Sequence, residues 1–274
     1  MPIAKVGDIN LYYEVHGKGE TLVLIMGYTH RGGQWAELRD KLAVEYRVIV
    51  PDNRGTGQSD KPEMPYTANM MATDVAGLLD ALGVGATNVL GYSMGGMIAQ
   101  EFALNYPGRL DNLILCATHF GGSKAVWNPE SLVFFSNPEL AKLSDEDRAR
   151  ASIPWIWSKE FVENNPAAIE RFVATTVEHP SPLKARLSHQ NVLLTHDTYE
   201  RLPDIKAPTL IITGSEDLMI PCENSKLLAS RIPNAELVII DNAGHGLFVS
   251  DPTGKVSATV LDFLRRHSKA RLKN

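Results

Sequence analysis

For most of the chain, short apolar runs alternate with stretches whose apolar residues recur every three or four positions. The first two runs, at 3–6 and 9–15, flank Gly7-Asp8, a two-residue turn that predicts a β-hairpin. An almost wholly apolar run at 21–26 predicts a strand buried on both faces, and it ends in Gly27-Tyr28. A helical segment over 35–42 leads to a strand at 46–50. The alternation goes on as helix 68–82, strand 87–90, helix 94–106 and strand 110–117. It breaks after residue 118 and resumes with strand 209–213, helix 223–231, strand 236–240 and helix 253–267. Asp251 followed by Pro252 reads as N-cap and first-turn residue of that last helix. Strands alternating with helices in this way predict an α/β fold with a mostly parallel sheet flanked by helices.

In open sheets of this kind, chemistry sits beyond the carboxyl ends of the strands, so the residues that follow each strand carry the functional signal. The strand at 87–90 runs into Gly91-Tyr92-Ser93-Met94-Gly95-Gly96 and then directly into a helix. A strand that turns into a helix at Gly-x-Ser-x-Gly is a nucleophile elbow. Its serine projects from a strained corner, and only small residues fit two positions to either side. The Met94 N–H lies at the helix start, where unpaired donors and the helix dipole favour an anion. The strand at 209–213 is followed by Gly214-Ser215-Glu216-Asp217. The strand at 236–240 is followed by Asp241-Asn242-Ala243-Gly244-His245-Gly246. A serine hydroxyl is a weak nucleophile at neutral pH and needs an imidazole to take its proton. The imidazole in turn needs a carboxylate to fix its tautomer and stabilise its cation. Glu216 and Asp217 are adjacent candidates for that carboxylate. The remaining histidines, at 16, 30, 119, 179, 189, 196 and 267, read by default as solvated or internally satisfied. Among them, His119 follows a strand end and is a candidate pocket residue.

With the order serine, aspartate, histidine on successive strand ends, the chain resembles the serine hydrolases of the α/β-hydrolase fold, of carboxylesterase or enol-lactonase type. The matching pieces span nearly the whole chain: Gly91 to Gly96, Asp52-Asn53-Arg54-Gly55-Thr56-Gly57-Gln58-Ser59, Gly214-Ser215-Glu216-Asp217 with Pro221, and Ala243-Gly244-His245. The resemblance implies that Ser93 is the nucleophile, His245 the general base and then acid, and Asp217, four before Pro221, the orienting carboxylate. It also implies an oxyanion hole built from the Tyr28 and Met94 backbone N–H groups. One departure stands out. Many family members carry His-Gly after the early strand, whereas this chain has Met26-Gly27. The donating amide survives that change, but the packing and hydrogen bonding of the usual histidine do not. The stretch from Asp52 to Ser59 reads as a structural loop.

The interruption after residue 118 resembles the family's helical cap, dividing the chain into a core of 1–118 and 206–274 and a cap of 119–205. The cap carries Trp127, Trp155, Trp157, Phe120, Phe134, Phe135, Phe161 and Phe172, with Pro129, Pro138, Pro154, Pro166 and Pro180 among them. Helical pieces broken by prolines can wall a pocket over the strand ends. Tyr28, His119, Trp155, Trp157 and Phe248 are its candidate substrate contacts. An aromatic lining favours an apolar acyl or aryl group over a sugar or phosphate.

Composition narrows the class further. A length of 274 residues suits one large domain or a domain carrying an insertion. A net charge of −5 and a pI near 5.9 show no basic excess for nucleic acid or an anionic membrane. The two cysteines, Cys116 and Cys222, belong to no metal or redox motif, and no apolar run approaches membrane-spanning length. The opening residues, Met1-Pro2-Ile3-Ala4-Lys5-Val6, have no basic-then-apolar leader, so a reduced, cytoplasmic protein is expected. There is no phosphate-binding glycine loop and no zinc-type His-Glu-x-x-His, so no cofactor or metal is expected. The expectation is a serine esterase acting on a small-molecule ester. A carbon–carbon bond hydrolase, an enol-lactonase, a thioesterase and a perhydrolase share the same three residues. A ligand-binding receptor that keeps them without turnover is a further alternative. Dehalogenases and epoxide hydrolases of this fold use a carboxylate at the elbow, where this chain has Ser93. The oligomeric state is left open.

Overall fold

A computed structural model describes residues 2–248, 251 and 253–268. The hairpin β1 (Ile3–Val6) and β2 (Ile9–His16) opens an eight-stranded sheet, with Gly7 in the left-handed conformation its turn requires. There follow β3 (Thr21–Ile25), a 3₁₀ turn at Gly32–Trp35, α1 (Ala36–Leu42), β4 (Arg47–Pro51), α2 (Ala68–Ala81), β5 (Thr87–Tyr92), α3 (Met94–Asn105) and β6 (Leu110–Cys116). Five helices come next: α4 (Pro129–Phe135), α5 (Asp145–Ile156), α6 (Lys159–Asn164), α7 (Pro166–Glu178) and α8 (Leu183–Thr195). The chain then closes with β7 (Thr209–Gly214), α9 (Glu223–Arg231), β8 (Ala235–Ile240) and α10 (Lys255–Arg266). The strand order is β1-β2-β4-β3-β5-β6-β7-β8. In this sheet β1–β2 and β2–β4 pair antiparallel and the other neighbouring strands pair parallel.

The near-continuous apolar strands follow from burial on both faces. On β3, Leu22 and Leu24 join Val48, Val50, Leu90, Ile114, Leu210 and Ile212 on one side, packed against Leu38 and Leu42 of α1 and Val256, Val260, Phe263 and Leu264 of α10. Val23 and Ile25 face the other way, with Val89, Leu113, Leu115 and Ile211, under α2, α3 and Leu228 of α9. Each such side chain contributes roughly 1.5–3 kcal/mol by leaving water, so a one-residue slip of register would reverse both layers at once.

Helices α4 to α8 occupy the segment between β6 and β7, and α5 and α7, with α6 against them, build a small core of Ala149, Ile156, Trp157, Ile169, Phe172 and Val173. Most prolines here begin elements rather than break them. Pro129 and Pro166 sit at first helical positions and Pro138 opens a 3₁₀ turn, where the missing N–H costs nothing. Pro154 lies inside α5, in its last turn, and Pro203 inside the 3₁₀ helix Tyr199–Asp204. Asn128, Ser144 and Ser158 cap α4, α5 and α6 with side-chain acceptors.

The last helix starts later than its sequence signal suggests. Gly254, at φ 70°, occupies the N-cap, and α10 begins at Lys255. Asp251 still caps it from upstream, accepting from Val256 N–H (3.2 Å), Ser257 N–H (2.9 Å) and Ser257 Oγ (2.8 Å). Pro252 lies outside the described residues. The Asp52–Ser59 loop is a buried hydrogen-bonded knot. Asp52 accepts from Gly32 N–H and Gln58 N–H, and Ser59 Oγ donates to Asp52 O while accepting from Tyr12 N–H. The Arg54 guanidinium forms a fork with Asp74 at 2.5 and 2.6 Å. Among the described residues, no helix is long and apolar enough to cross a membrane.

Candidate active site

Strain marks the site before its chemistry does. Among the described residues, the non-glycine positions with positive φ are Thr29 (59°), Ser93 (54°), Ala117 (43°) and Asn242 (59°). They follow β3, β5, β6 and β8, on the carboxyl edge of the sheet. Each such residue costs on the order of 1–3 kcal/mol and persists only where its surroundings hold it.

Ser93 turns β5 into α3 with ψ −123° and is held on both sides. Its N–H donates to Cys116 O (2.9 Å), and its carbonyl accepts from Thr118 Oγ1 (2.7 Å) and Gly96 N–H (2.8 Å). The glycines of the elbow are steric necessities. A Cβ on Gly91 would collide with the Gly95 carbonyl, one on Gly95 with the Ile25 carbonyl, and one on Gly96 would lie 2.5 Å from the Thr118 side chain. Gly27 is packed so closely that a Cβ there would lie 3.0 Å from Ser93 Cβ. That contact brings the Gly27–Tyr28 backbone against the serine. Among the described residues, neither the Tyr28 N–H nor the Met94 N–H has a hydrogen-bond partner.

The structure brings Ser93, His245 and Asp217 together. His245 Nε2 lies 3.0 Å from Ser93 Oγ, and His245 Nδ1 lies 2.8 Å from Asp217 Oδ2. The other Asp217 oxygen accepts from Met219 N–H (3.0 Å) and Ile220 N–H (2.8 Å), so the carboxylate arrives oriented. That arrangement puts the imidazole proton on Nδ1 and leaves Nε2 to accept from the serine hydroxyl. All three side chains are buried. Glu216, the competing carboxylate, is exposed to solvent, with its N–H on Ala243 O. The His245 loop is gripped from α5: Gly246 N–H donates to Ile156 O (2.6 Å), and Trp157 Nε1 donates to Gly246 O (3.3 Å).

The remaining candidates take different places. His119 is 2 % exposed; its Nδ1 accepts from Gly121 N–H (2.9 Å), which puts the proton on Nε2. Among the described residues, that Nε2–H meets no acceptor. Burial and the neighbouring histidines His196 and His245 push the His119 pKa down to about 3, so the ring is a neutral donor. Its face meets the edge of Trp127 at 4.6 Å. Trp157 packs edge-on to Phe172 and stacks on Phe161. Trp155 lies against Phe134 and Phe135 of α4, in the segment's own aromatic cluster. Phe248, 1 % exposed, touches Trp35 and Tyr92, and Tyr92 in turn contacts His245, so Phe248 stands behind the imidazole. The Tyr28 hydroxyl donates to Arg186 O (3.3 Å) on α8.

Two histidines that the sequence leaves at default readings also reach this edge. His30 rests on Phe172 and feels the charge of His245. Burial, with that neighbour, lowers its pKa to about 4. His189 bonds the loops that follow β3 and β4. A histidine inside the interrupted region, with no strand end before it, gives no sequence signal for such a place. Among the described residues, no group of three or more His, Cys, Asp or Glu side chains is placed to hold a metal ion.

This elbow at a strand end, on a mostly parallel eight-stranded sheet, defines a class of hydrolases, and sequence comparison agrees. Residues 20–252 match the alpha/beta hydrolase fold family, and the chain belongs to it. A protein of Azorhizobium caulinodans designated RutD, a carbamate hydrolase by that designation, is 32% identical over 252 residues, covering 92% of this chain and 94% of its own. Among solved structures, the enol-lactonase from Burkholderia xenovorans LB400 superposes with a TM-score of 0.84 at 27% identity, covering 96% of this chain and 100% of that one. A thermophilic esterase from Thermogutta terrifontis gives 0.84 at 30% identity, covering 96% of each chain.

Proposed function

We propose that this hydrolase cleaves carboxylic esters of small apolar or aryl substrates through an acyl-enzyme on Ser93. The observation that carries the reading is the continuous relay from Ser93 Oγ through His245 to Asp217, at 3.0 and 2.8 Å, on a strained elbow. As Ser93 Oγ attacks the ester carbonyl carbon, its proton passes to His245 Nε2. Asp217 holds Nδ1–H and stabilises the imidazolium. The carbonyl oxygen becomes an oxyanion, and the Tyr28 and Met94 N–H groups donate to it. The tetrahedral intermediate collapses, the C–O bond to the alcohol breaks, and the alcohol leaves with the proton from His245. Water then attacks the acyl-enzyme by the same steps, releasing the acid and restoring Ser93. Every step uses a side chain or a backbone amide.

In this reading, residues 119–205 act as a cap on a core of 1–118 and 206–274, and the candidate substrate contacts are Tyr28, His119, Trp155 and Trp157, while Phe248 backs the imidazole instead. The neutral His119 N–H is suited to an ester that carries a second oxygen acceptor. The partner is a small molecule, and a cytoplasmic location fits the two unpaired thiols. A second reading has support in the relatives' names: a carbamate or enol-lactone carbonyl, attacked by the same serine.

The test is a substrate panel: p-nitrophenyl esters of increasing chain length beside aryl carbamates, enol-lactones and ring-fission diketones. The expected result is turnover of short to medium acyl esters, graded by roughly 1–3 kcal/mol per methylene. Trp155→Ala or Trp157→Ala shifts the preferred length while organophosphate labelling of Ser93 persists. Turnover of carbamate or lactone at rates the esters never approach would replace the ester reading. An unchanged length profile in both variants would remove the two tryptophans from the pocket.

A further inference from the structure

We propose that His189 is a positioning residue: from the middle of α8 it fixes the Tyr28–Thr29 peptide and, through it, the direction of the Tyr28 N–H toward the substrate oxyanion. This rests on the oxyanion role proposed above for Tyr28.

The imidazole is fully buried and both of its nitrogens are used. Nδ1 accepts from Thr29 N–H at 3.1 Å, so the proton must sit on Nε2, which donates to Arg54 O at 2.8 Å. One ring therefore ties the loop after β3 to the loop after β4. Protonating Nδ1 would break the Thr29 bond, and burial lowers the His189 pKa to about 4, which keeps the ring neutral in ordinary buffers. Space for the ring is built in. Gly55 has no Cβ where one would lie 3.1 Å from His189 Nε2, and the rings of Tyr66 and Tyr28 meet it edge-on at 5.6 and 6.0 Å.

The residue it holds is the one that needs holding. Thr29 is β-branched yet sits at φ 59°, a conformation it would leave if released. Its N–H is fixed by His189 and its carbonyl by Ser181 Oγ at 3.0 Å. Both bonds come from the segment between β6 and β7. The Thr29 N–H shares a peptide plane with the Tyr28 carbonyl, and that plane meets the Gly27–Tyr28 plane at the Tyr28 Cα, so a Thr29 that relaxes can displace this Cα and tilt the Tyr28 N–H with it.

A simple anchor for α8 would need either hydrogen bond; a positioning role needs the one to Thr29. Asparagine can place its amide oxygen near the position of Nδ1, and glutamine its amide nitrogen near the position of Nε2. The test compares His189→Asn, His189→Gln and Ser181→Ala in the full chain, by ester kcat and KM, by affinity for a phenylboronic acid that forms a tetrahedral adduct on Ser93, and by Tm. Losing one oxyanion donor outright costs about 10²–10³ in rate, and misplacing it costs less. His189→Gln should lower kcat about 10- to 100-fold, leave KM within about threefold, and weaken the boronic acid by the factor lost from kcat. His189→Asn should stay within about fivefold of wild type on both readouts, and Ser181→Ala should shift both in the direction of the glutamine variant. Equal kcat in the asparagine and glutamine variants, or a lower Tm with boronic acid affinity intact, would overturn the proposal. If the wild-type chain neither turns over esters nor is labelled at Ser93, the functional reading fails instead. Wild-type activity matched by His189→Gln removes the positioning role alone.

Discussion

Lowering the pH from 7 to 5 should destabilise this protein steeply, through histidines rather than carboxylates. His119, His189 and His196 are each at most 5 % exposed. Burial lowers their pKa values from 6.5 to about 3, about 4 and about 3 respectively. His196 has Glu101 3.9 Å from Nδ1, but that carboxylate is engaged by Arg201 and does not offset the burial. Because the folded-state pKa is the lower one, the unfolded chain binds more protons between about pH 6.5 and 4. Their contribution to stability is complete above 6.5 and is lost as the pH falls toward the folded values. At pH 5.5 each of these histidines is about 90% protonated when unfolded and almost unprotonated when folded, so these three take up roughly 2.7 protons on unfolding, and the half-buried His30, also lowered to about 4, adds at most about one more. The slope is then near 4 kcal/mol per pH unit, and the loss between pH 7 and 5 is about 5 kcal/mol. A domain near 5 kcal/mol is unfolded by that loss, and one near 15 kcal/mol keeps about 10. Urea titrations followed by far-UV circular dichroism at half-unit pH steps measure the slope. His196→Gln should lower it by roughly one proton, about 1.4 kcal/mol per pH unit. A wild-type slope below one proton between pH 6.5 and 5.2, or no change in the variant, would refute the assignment of buried neutral rings.

Asp217→Asn should lower kcat by about 10⁴ while Glu216→Gln stays within about threefold, because only Asp217 meets the imidazole; the reverse outcome would shift the orienting acid by one residue. Asp74→Ala strands the buried Arg54 guanidinium and should cost about 3–5 kcal/mol in urea unfolding; a loss under about 1 kcal/mol would mean that water reaches the pair. Prolonged dialysis against EDTA should leave ester turnover unchanged, and a loss that a divalent ion restores would contradict a mechanism built from side chains and amides alone.

What could be read in the sequence was whatever local pattern and chain order encode. The strands are nearly pure apolar runs because both faces of the sheet are covered, and α9 appears at the predicted 223–231. Ser93, Asp217 and His245 were visible because each follows a strand, and parallel strands bring their carboxyl ends to one edge. The choice of Asp217 over Glu216 rested on resemblance until geometry turned one inward and the other to solvent. The start of α10 was missed because Asp251 caps across an intervening turn, with Gly254 in the left-handed region. His189 was illegible for another reason. Its partners, Thr29 and Arg54, lie 160 and 135 positions away, and no local pattern encodes a bond between an inserted helix and two strand-end loops. The aromatics of 119–205 are countable in sequence, but not their division between Trp157 on the His245 loop and Trp155 on α4.

The central claim is covalent catalysis at Ser93, and its most direct measurement is the mass of the enzyme during turnover of a p-nitrophenyl ester, quenched in acid within the first seconds. The account predicts a transient adduct equal to the acyl group, located by peptide mapping on the segment that contains Ser93. It should be accompanied by a burst of p-nitrophenolate, and be absent in Ser93→Ala, whose kcat falls by roughly 10⁶. Undiminished turnover in Ser93→Ala, or an acyl group mapped to another residue in a chain that still turns over, would contradict it.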